Sequence, residues 1–255
     1  MNSIQKIFQH KDKDILSIYF TSGFPELDDT TKVIQQLSAS GVDFIEVGLP
    51  YSDPLADGPT IQDSSQKALK NGINLDIVFD QLLAIKDTNT TPLILMGYLN
   101  QVLKYGEEKF CQRVVDCGID TVILPDLPMV EYEHHYKALF ERYGINNVFL
   151  ITPLTSDDRI RKIDGYTESF IYMVASSSIT GAKGEISQQQ IDYFERIDAM
   201  NLKSKRIIGF GISNHQTFAT ACNYGNGAII GSAFIKFLEQ NGVENIPEFI
   251  KSIKE

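Results

Sequence analysis

Eight short apolar runs recur along the chain, and the longer stretches between them carry helical periodicity. The runs are Ile15–Phe20, Phe44–Val47, Pro92–Met96, Thr121–Leu124, Val148–Ile151, Phe170–Val174, Arg206–Ile208 and Ala228–Ile230. Each is rich in Ile, Val, Leu, Phe or Tyr, as strands buried on both faces are. Helices are expected over Asp28–Ala39, Leu75–Ile85, Glu107–Val115, Val130–Tyr143, Asp157–Ile163, Gln188–Met200, Asn214–Cys222 and Asn245–Ile253. In the first of these, Val33, Ile34 and Leu37 fall on one face. Gly118, Gly144 and Gly225 each stand between a helix and the next strand, where a left-handed cap is expected.

Eight strands alternating with helices predict an α/β chain closed into a (β/α)8 TIM barrel. The 255 residues match the size of that fold, and no composition break suggests a second domain, so residues 1–255 read as one. An open doubly wound sheet is the rival. It calls for a Gly-rich turn after the first strand, but Thr21-Ser22-Gly23-Phe24-Pro25 is not one. An extra helix around Ile4–Phe8 precedes the first strand and is expected to plug the barrel bottom.

The formal net charge of -10 argues against a nucleic-acid partner, since phosphate backbones are held chiefly by Lys and Arg. Met1–Asp14 lacks the apolar core of a signal peptide, and no apolar run spans a bilayer, so a cytoplasmic chain without a membrane partner is expected. Cys111, Cys117 and Cys222 form no C-x-x-C pair and read as small packed apolar residues. No His/Cys cluster has metal spacing, so no metal is expected.

In a barrel the reactive groups stand at the carboxyl ends of strands and in the loops that follow. Along Asp43–Gly48, side chains alternate, so Phe44, Glu46 and Gly48 share one face and Ile45 and Val47 the other. The β-branched pair suits the helix layer, which turns Glu46 into the barrel mouth. A carboxylate there is costly without a partner, and a chemical role is favoured over a structural ion pair. The next loop, Leu49 to Pro59, is long, stiffened by three prolines, and carries Asp53 and Asp57. Glycine clusters follow the sixth, seventh and eighth strands: Thr180–Gly184, Gly209–Ser213 and Gly231–Phe234. Together they place backbone N–H groups and a helix start where barrels commonly hold a phosphate, with Ser232 as an added donor and helix cap.

The stretch Glu46-Val47-Gly48-Leu49-Pro50-Tyr51-Ser52-Asp53-Pro54-Leu55-Ala56-Asp57-Gly58-Pro59-Thr60-Ile61-Gln62 resembles the signature of the tryptophan synthase alpha subunit family. Thr21–Pro25, Pro125–Pro128, Ile179–Ala182, Gly209–Ser213 and Gly231–Ala233 extend the resemblance over nearly the whole chain. It implies a barrel lyase that splits indole-3-glycerol phosphate into indole and glyceraldehyde 3-phosphate without a cofactor of its own. Indole then passes to a beta subunit, which carries the pyridoxal phosphate, in an alpha-beta-beta-alpha tetramer. Carried across, the resemblance makes Glu46 and Asp57 the catalytic carboxylates. It places Tyr19, Tyr172 and Thr180 around the substrate and assigns phosphate contacts to Gly181, Gly211, Gly231 and Ser232. Tyr51, Asp53, Leu99 and Asn100 are expected to face the partner. One departure stands out: where the family often has Arg and Gly before its T-G motif, this chain has Ser176 and Ser178.

Two other functions remain open at this stage. One is a stand-alone indole lyase; the other is a non-catalytic phosphosugar-binding barrel. Among phosphate-binding barrel enzymes, indole-glycerol-phosphate synthase is expected to use a strand lysine, and no predicted strand core here contains Lys.

Overall fold

The computed structural model describes residues 1–175, 187–209 and 211–255. Eight strands form a closed barrel in chain order: β1 (Ile15–Thr21), β2 (Phe44–Gly48), β3 (Leu93–Met96), β4 (Thr121–Ile123), β5 (Asn146–Ile151), β6 (Phe170–Val174), β7 (Lys205–Gly209) and β8 (Gly227–Ile230). Every neighbouring pair is parallel, and β8 closes on β1 through rungs such as Ser17 with Ile229.

Alternation divides the core in two. Tyr19, Phe44, Ile94, Ile123, Val148, Phe170, Ile207 and Ile229 pack together inside the barrel. Ile18, Ile45, Val47, Leu95, Ile171 and Ile208 join the layer between barrel and helices. This is the expected partition, and it puts the inward residues nearest each strand's carboxyl end at the mouth.

The opening helix, Ser3–His10, seals the other end. Ile4 is fully buried among the interior residues, with Ile7 and Phe8 packed beside it. Burying a side chain of that size stabilises by about 1.5–3 kcal/mol. Asn2 caps the helix in a capping box with Gln5. The Ser3 N–H and hydroxyl donate to the Asp120 carboxylate at 2.6 and 2.7 Å. The Asp43 carboxylate accepts from Lys11 and from the Leu16 N–H, both at 2.7 Å, and so ties the following linker to β1.

The expected helices are present within a few residues of their predicted ends. The helix that starts at Ser232 runs to Asn241, and two other helices escape a reading of apolar period. Pro59–Lys70 has a polar sequence, buries Ser64, Ser65 and Ala68, and starts with proline at a position where its missing N–H loses nothing. Leu99–Tyr105 spans only seven residues. Gly118 and Gly144 have the left-handed conformation expected of them, with φ of 74° and 68°. Gly225 does not: its φ is -132°, and it is there for space, since a Cβ would come within 3.0 Å of the Arg206 carbonyl oxygen.

Candidate active site

Glu46 on β2 is completely buried, and among the described residues neither carboxylate oxygen has a hydrogen-bond partner. Among the described residues it forms no ion pair, so the structural salt bridge is not found there. Burial raises its pKa from 4.5 to about 8. The neighbouring Ser17 hydroxyl opposes this only partly, and neither group has a hydrogen-bond partner among the described residues. Below Glu46, the Phe44 and Phe170 rings form an apolar floor, their centroids 5.4 Å apart.

Two tyrosines cross the mouth over two glycines. A Cβ on Gly48 would lie 2.5 Å from Tyr19 Cζ, and one on Gly209 would lie 2.6 Å from Tyr172 Cζ. Any side chain at either position would displace the ring. Tyr19 stands opposite Glu46 across the rung between β1 and β2. Burial raises the Tyr19 phenol well above its ordinary value, reinforced by the Asp57 and Glu46 carboxylates. Tyr172 responds in the same way, to burial first and then to Glu46, Asp57 and Tyr19. Both phenols remain O–H donors at neutral pH, close enough to both acids to feel their charge.

Asp57 comes from the loop between β2 and the Pro59–Lys70 helix. Its Oδ2 accepts a 2.8 Å hydrogen bond from the Tyr98 hydroxyl, which in turn accepts from the Ala56 N–H at 3.1 Å. Burial raises the Asp57 pKa, and the Tyr98 bond restrains it. The rest of the loop is held from β3's end. Gln101 donates to the Pro50 carbonyl at 2.9 Å and accepts from the Tyr98 N–H at 3.0 Å. The Tyr51 and Tyr98 rings stack at 5.1 Å, and Asn100 donates to the Tyr51 hydroxyl at 3.0 Å. The Leu99 N–H donates to Asp126 at 2.8 Å. Asp53 is exposed and accepts from Ser52 at 2.5 Å.

Gly209 on β7 pairs with Ile229 on β8, so Gly211 and Gly231 each stand two residues beyond the same rung. Gly211 has φ of 78°, a conformation L side chains rarely adopt. Gly231, not Ser232, is the cap of the helix Ser232–Asn241, and Ser232 is its first residue. Among the described residues no hydrogen bond engages its hydroxyl, which stands beside the first-turn N–H groups that lack a helical partner, an arrangement suited to an anion. The expectations for Ser176, Ser178, Thr180 and Gly181 lie outside the described residues.

A family model for the tryptophan synthase alpha chain matches residues 5–254. The chain belongs to the tryptophan synthase alpha chain family. The tryptophan synthase alpha chain of Flavobacterium johnsoniae is 55% identical over 254 residues, covering 100% of both chains. The crystal structure of the tryptophan synthase alpha chain from Legionella pneumophila subsp. pneumophila matches with a TM-score of 0.88 at 30% identity, over 100% of this chain and 96% of that one. A tryptophan synthase complex from Pyrococcus furiosus matches with a TM-score of 0.86 at 30% identity, over 94% and 98% of the two chains. An alpha chain of tryptophan synthase is a biosynthetic lyase, and the barrel with a buried Glu46 and a partly buried Asp57 is in keeping with that.

For this alpha chain, sequence reasoning missed Tyr98 as a neighbour of Asp57. Its neighbours Leu99 and Asn100 are expected to face a partner, but nothing in the spacing ties Tyr98 to an acid 41 residues earlier. Ile61 was missed as well; it packs with the barrel-interior residues and reaches toward Gly231. The three thiols have no part in the site: burial pushes Cys111 and Cys222 up to about 12 and Cys117 up to about 11, which leaves them unreactive.

Proposed function

We propose that this chain cleaves indole-3-glycerol phosphate by a retro-aldol step, with Glu46 moving the proton and Asp57 stabilising the indole ring. The observation that carries the reading is Glu46: a fully buried carboxyl without a partner among the described residues, with its pKa raised to about 8, on the inward face of a barrel strand two residues before its carboxyl end. A group poised so near neutrality serves as either acid or base.

Glu46, as the acid, protonates indole C3 and leaves the ring an indoleninium cation. Its carboxylate then takes the proton from the hydroxyl of the adjoining glycerol carbon. As the carbonyl forms, the C–C bond breaks and its electron pair returns to the ring. The net change is one proton moved from hydroxyl to C3, giving indole and glyceraldehyde 3-phosphate. Asp57, as a carboxylate, receives the indole N–H, whose positive character grows only after C3 is protonated. Stabilisation confined to that stage raises the rate. Gly211, Gly231 and Ser232 hold the phosphate, and Tyr19 and Tyr172 enclose the indole and glycerol portions.

The step uses no cofactor in this chain; pyridoxal phosphate belongs to a beta subunit that receives the indole in an alpha-beta-beta-alpha tetramer. The partner face is the barrel mouth around Tyr51, Asp53, Leu99 and Asn100. Exposed apolar side chains there support it: Leu55 is 91% exposed, Val130 60% and Leu103 54%. The similarity to a solved tryptophan synthase complex supports it too. The location is cytoplasmic, which accords with the described residues holding no helix long and apolar enough to cross a membrane.

The test is to supply indole-3-glycerol phosphate to the purified chain and measure both products. Equal release of indole and glyceraldehyde 3-phosphate is expected. Binding of substrate without release of either product would make the chain a phosphosugar-binding barrel instead.

A further inference from the structure

We propose that the Ser17 hydroxyl is the hydrogen-bond partner of Glu46 during the reaction, a positioning residue that serves both protonation states of the carboxyl. The inference rests on the reading of Glu46 as the acid–base group.

Ser17 lies on β1 between Ile15 and Tyr19, both of which face the barrel interior. Alternation by two turns Ser17 the same way. The register pairs Ser17 with Phe44 and Tyr19 with Glu46, so Ser17 sits one inward position diagonally below the carboxyl. Both residues have zero solvent exposure. Among the described residues the Ser17 hydroxyl and both Glu46 oxygens have no hydrogen-bond partner. Two adjacent, buried, unpartnered polar groups on one face are each other's natural remedy, because an orphaned group pays its full desolvation penalty.

The surroundings make a serine here conspicuous. The inward residues Phe44, Ile94, Ile123, Val148, Phe170 and Ile207 are apolar. Packing alone favours another of that kind at position 17. A hydroxyl can donate to a carboxylate and accept from a carboxylic acid, whereas Lys or Arg can only donate. A carboxyl that gives a proton and then takes one back needs a neighbour that follows both changes. A cation would hold Glu46 ionised, and an apolar residue would hold it protonated. Catalytic hydrogen bonds often tighten only in the substrate complex, so two neighbouring groups without a partner are the expected resting state.

The other titratable groups facing this space come from separate elements. They are Tyr19 on β1, Tyr172 on β6, Asp57 after β2, and Tyr98 after β3. None of them hydrogen-bonds Glu46. Ser17 alone opposes the effect of burial on the Glu46 carboxyl.

The experiment compares the full chain with Ser17→Ala, Ser17→Val and Ser17→Thr. The Glu46 side-chain carboxyl is followed by carbon-13 NMR of glutamate-labelled protein, with Glu46→Gln giving the assignment. Turnover is followed in parallel as kcat/KM for indole-3-glycerol phosphate against pH. Loss of the hydroxyl should raise the Glu46 midpoint by about one pH unit, the size of one hydrogen bond to a charged group. Ser17→Thr should restore the wild-type midpoint, and Ser17→Val, the same size without the hydroxyl, should not. An unchanged midpoint in Ser17→Ala would overturn the proposal, as would equal midpoints in the Thr and Val variants. If the midpoint moves while the alkaline limb of kcat/KM stays fixed, the pairing stands and the acid–base reading of Glu46 fails.

Discussion

The Tyr98 hydroxyl donates to Asp57 Oδ2 at 2.8 Å and accepts from the Ala56 N–H, so one phenol fixes both the acid and the loop that carries it. Tyr98 is itself held by Gln101 through its N–H and by stacking on Tyr51. The position of Asp57 is therefore set from the end of β3, not from its own strand.

Tyr98→Phe should leave the barrel folded and lower turnover by about 10- to 100-fold, the range for losing a hydrogen bond to a charged group. The Asp57 carboxyl, which burial raises and the phenol restrains, should titrate higher in the variant. Steady-state indole release against pH measures both effects.

Glu46 should also leave a mark on stability. Its proton is held more tightly in the folded chain than in the unfolded one, with a pKa of about 8 against 4.5. Its contribution is thus most favourable below the ordinary carboxyl range and is lost as pH rises through the folded value. Glu46→Gln removes that dependence. The Tm of the variant should match wild type near pH 5 and exceed it increasingly up to pH 8, by the equivalent of a few kcal/mol at most. Thermal unfolding across that window checks this, and a constant gap would contradict it.

Gly211→Val should raise KM for indole-3-glycerol phosphate more than it lowers kcat. A β-branched residue does not accept φ of 78° without strain, and its side chain would also stand where the phosphate is proposed to approach. A phosphate-free indole glycerol, compared on the same two proteins, should show little difference between them.

The barrel was legible in the sequence because eight buried parallel strands leave eight apolar runs, and each was found. Glu46 was legible because a charge on the inward face of such a run is out of place. What stayed hidden has physical reasons. The Pro59–Lys70 helix buries serines through hydrogen bonds, such as the 2.7 Å contact between Ser64 and Thr21, and so lacks an apolar stripe. The Tyr98–Asp57 pair joins two loops, and loop contacts leave no period. Gly225 looked like a left-handed cap because glycine after a helix usually is one; it does cap its helix, but in an extended conformation, and the approach of the Arg206 backbone is what calls for glycine. The pocket contributions of Gly48 and Gly209 depend on rings from other strands, Tyr19 and Tyr172, which spacing within a segment does not connect.

The partner should act through the loop that bears Asp57. Asp53 and Leu55 in that loop are exposed, and its Tyr51 is tied to Asn100. A beta subunit that binds the ordered loop raises the competent fraction of the enzyme. Adding it should raise indole release, and Asp53→Ala should weaken that activation more than it weakens basal turnover. Titrating the partner against both proteins measures this; superimposable activation curves would exclude Asp53.

The most direct measurement of the central claim is indole release by Glu46→Gln set against wild type, with matched unfolding curves to show that both are folded. Glutamine keeps the size and burial but cannot exchange the proton. Turnover is expected to fall by about 10²–10⁴-fold with little change in KM. A folded variant that keeps turnover within about threefold of wild type would show that Glu46 does not carry the proton.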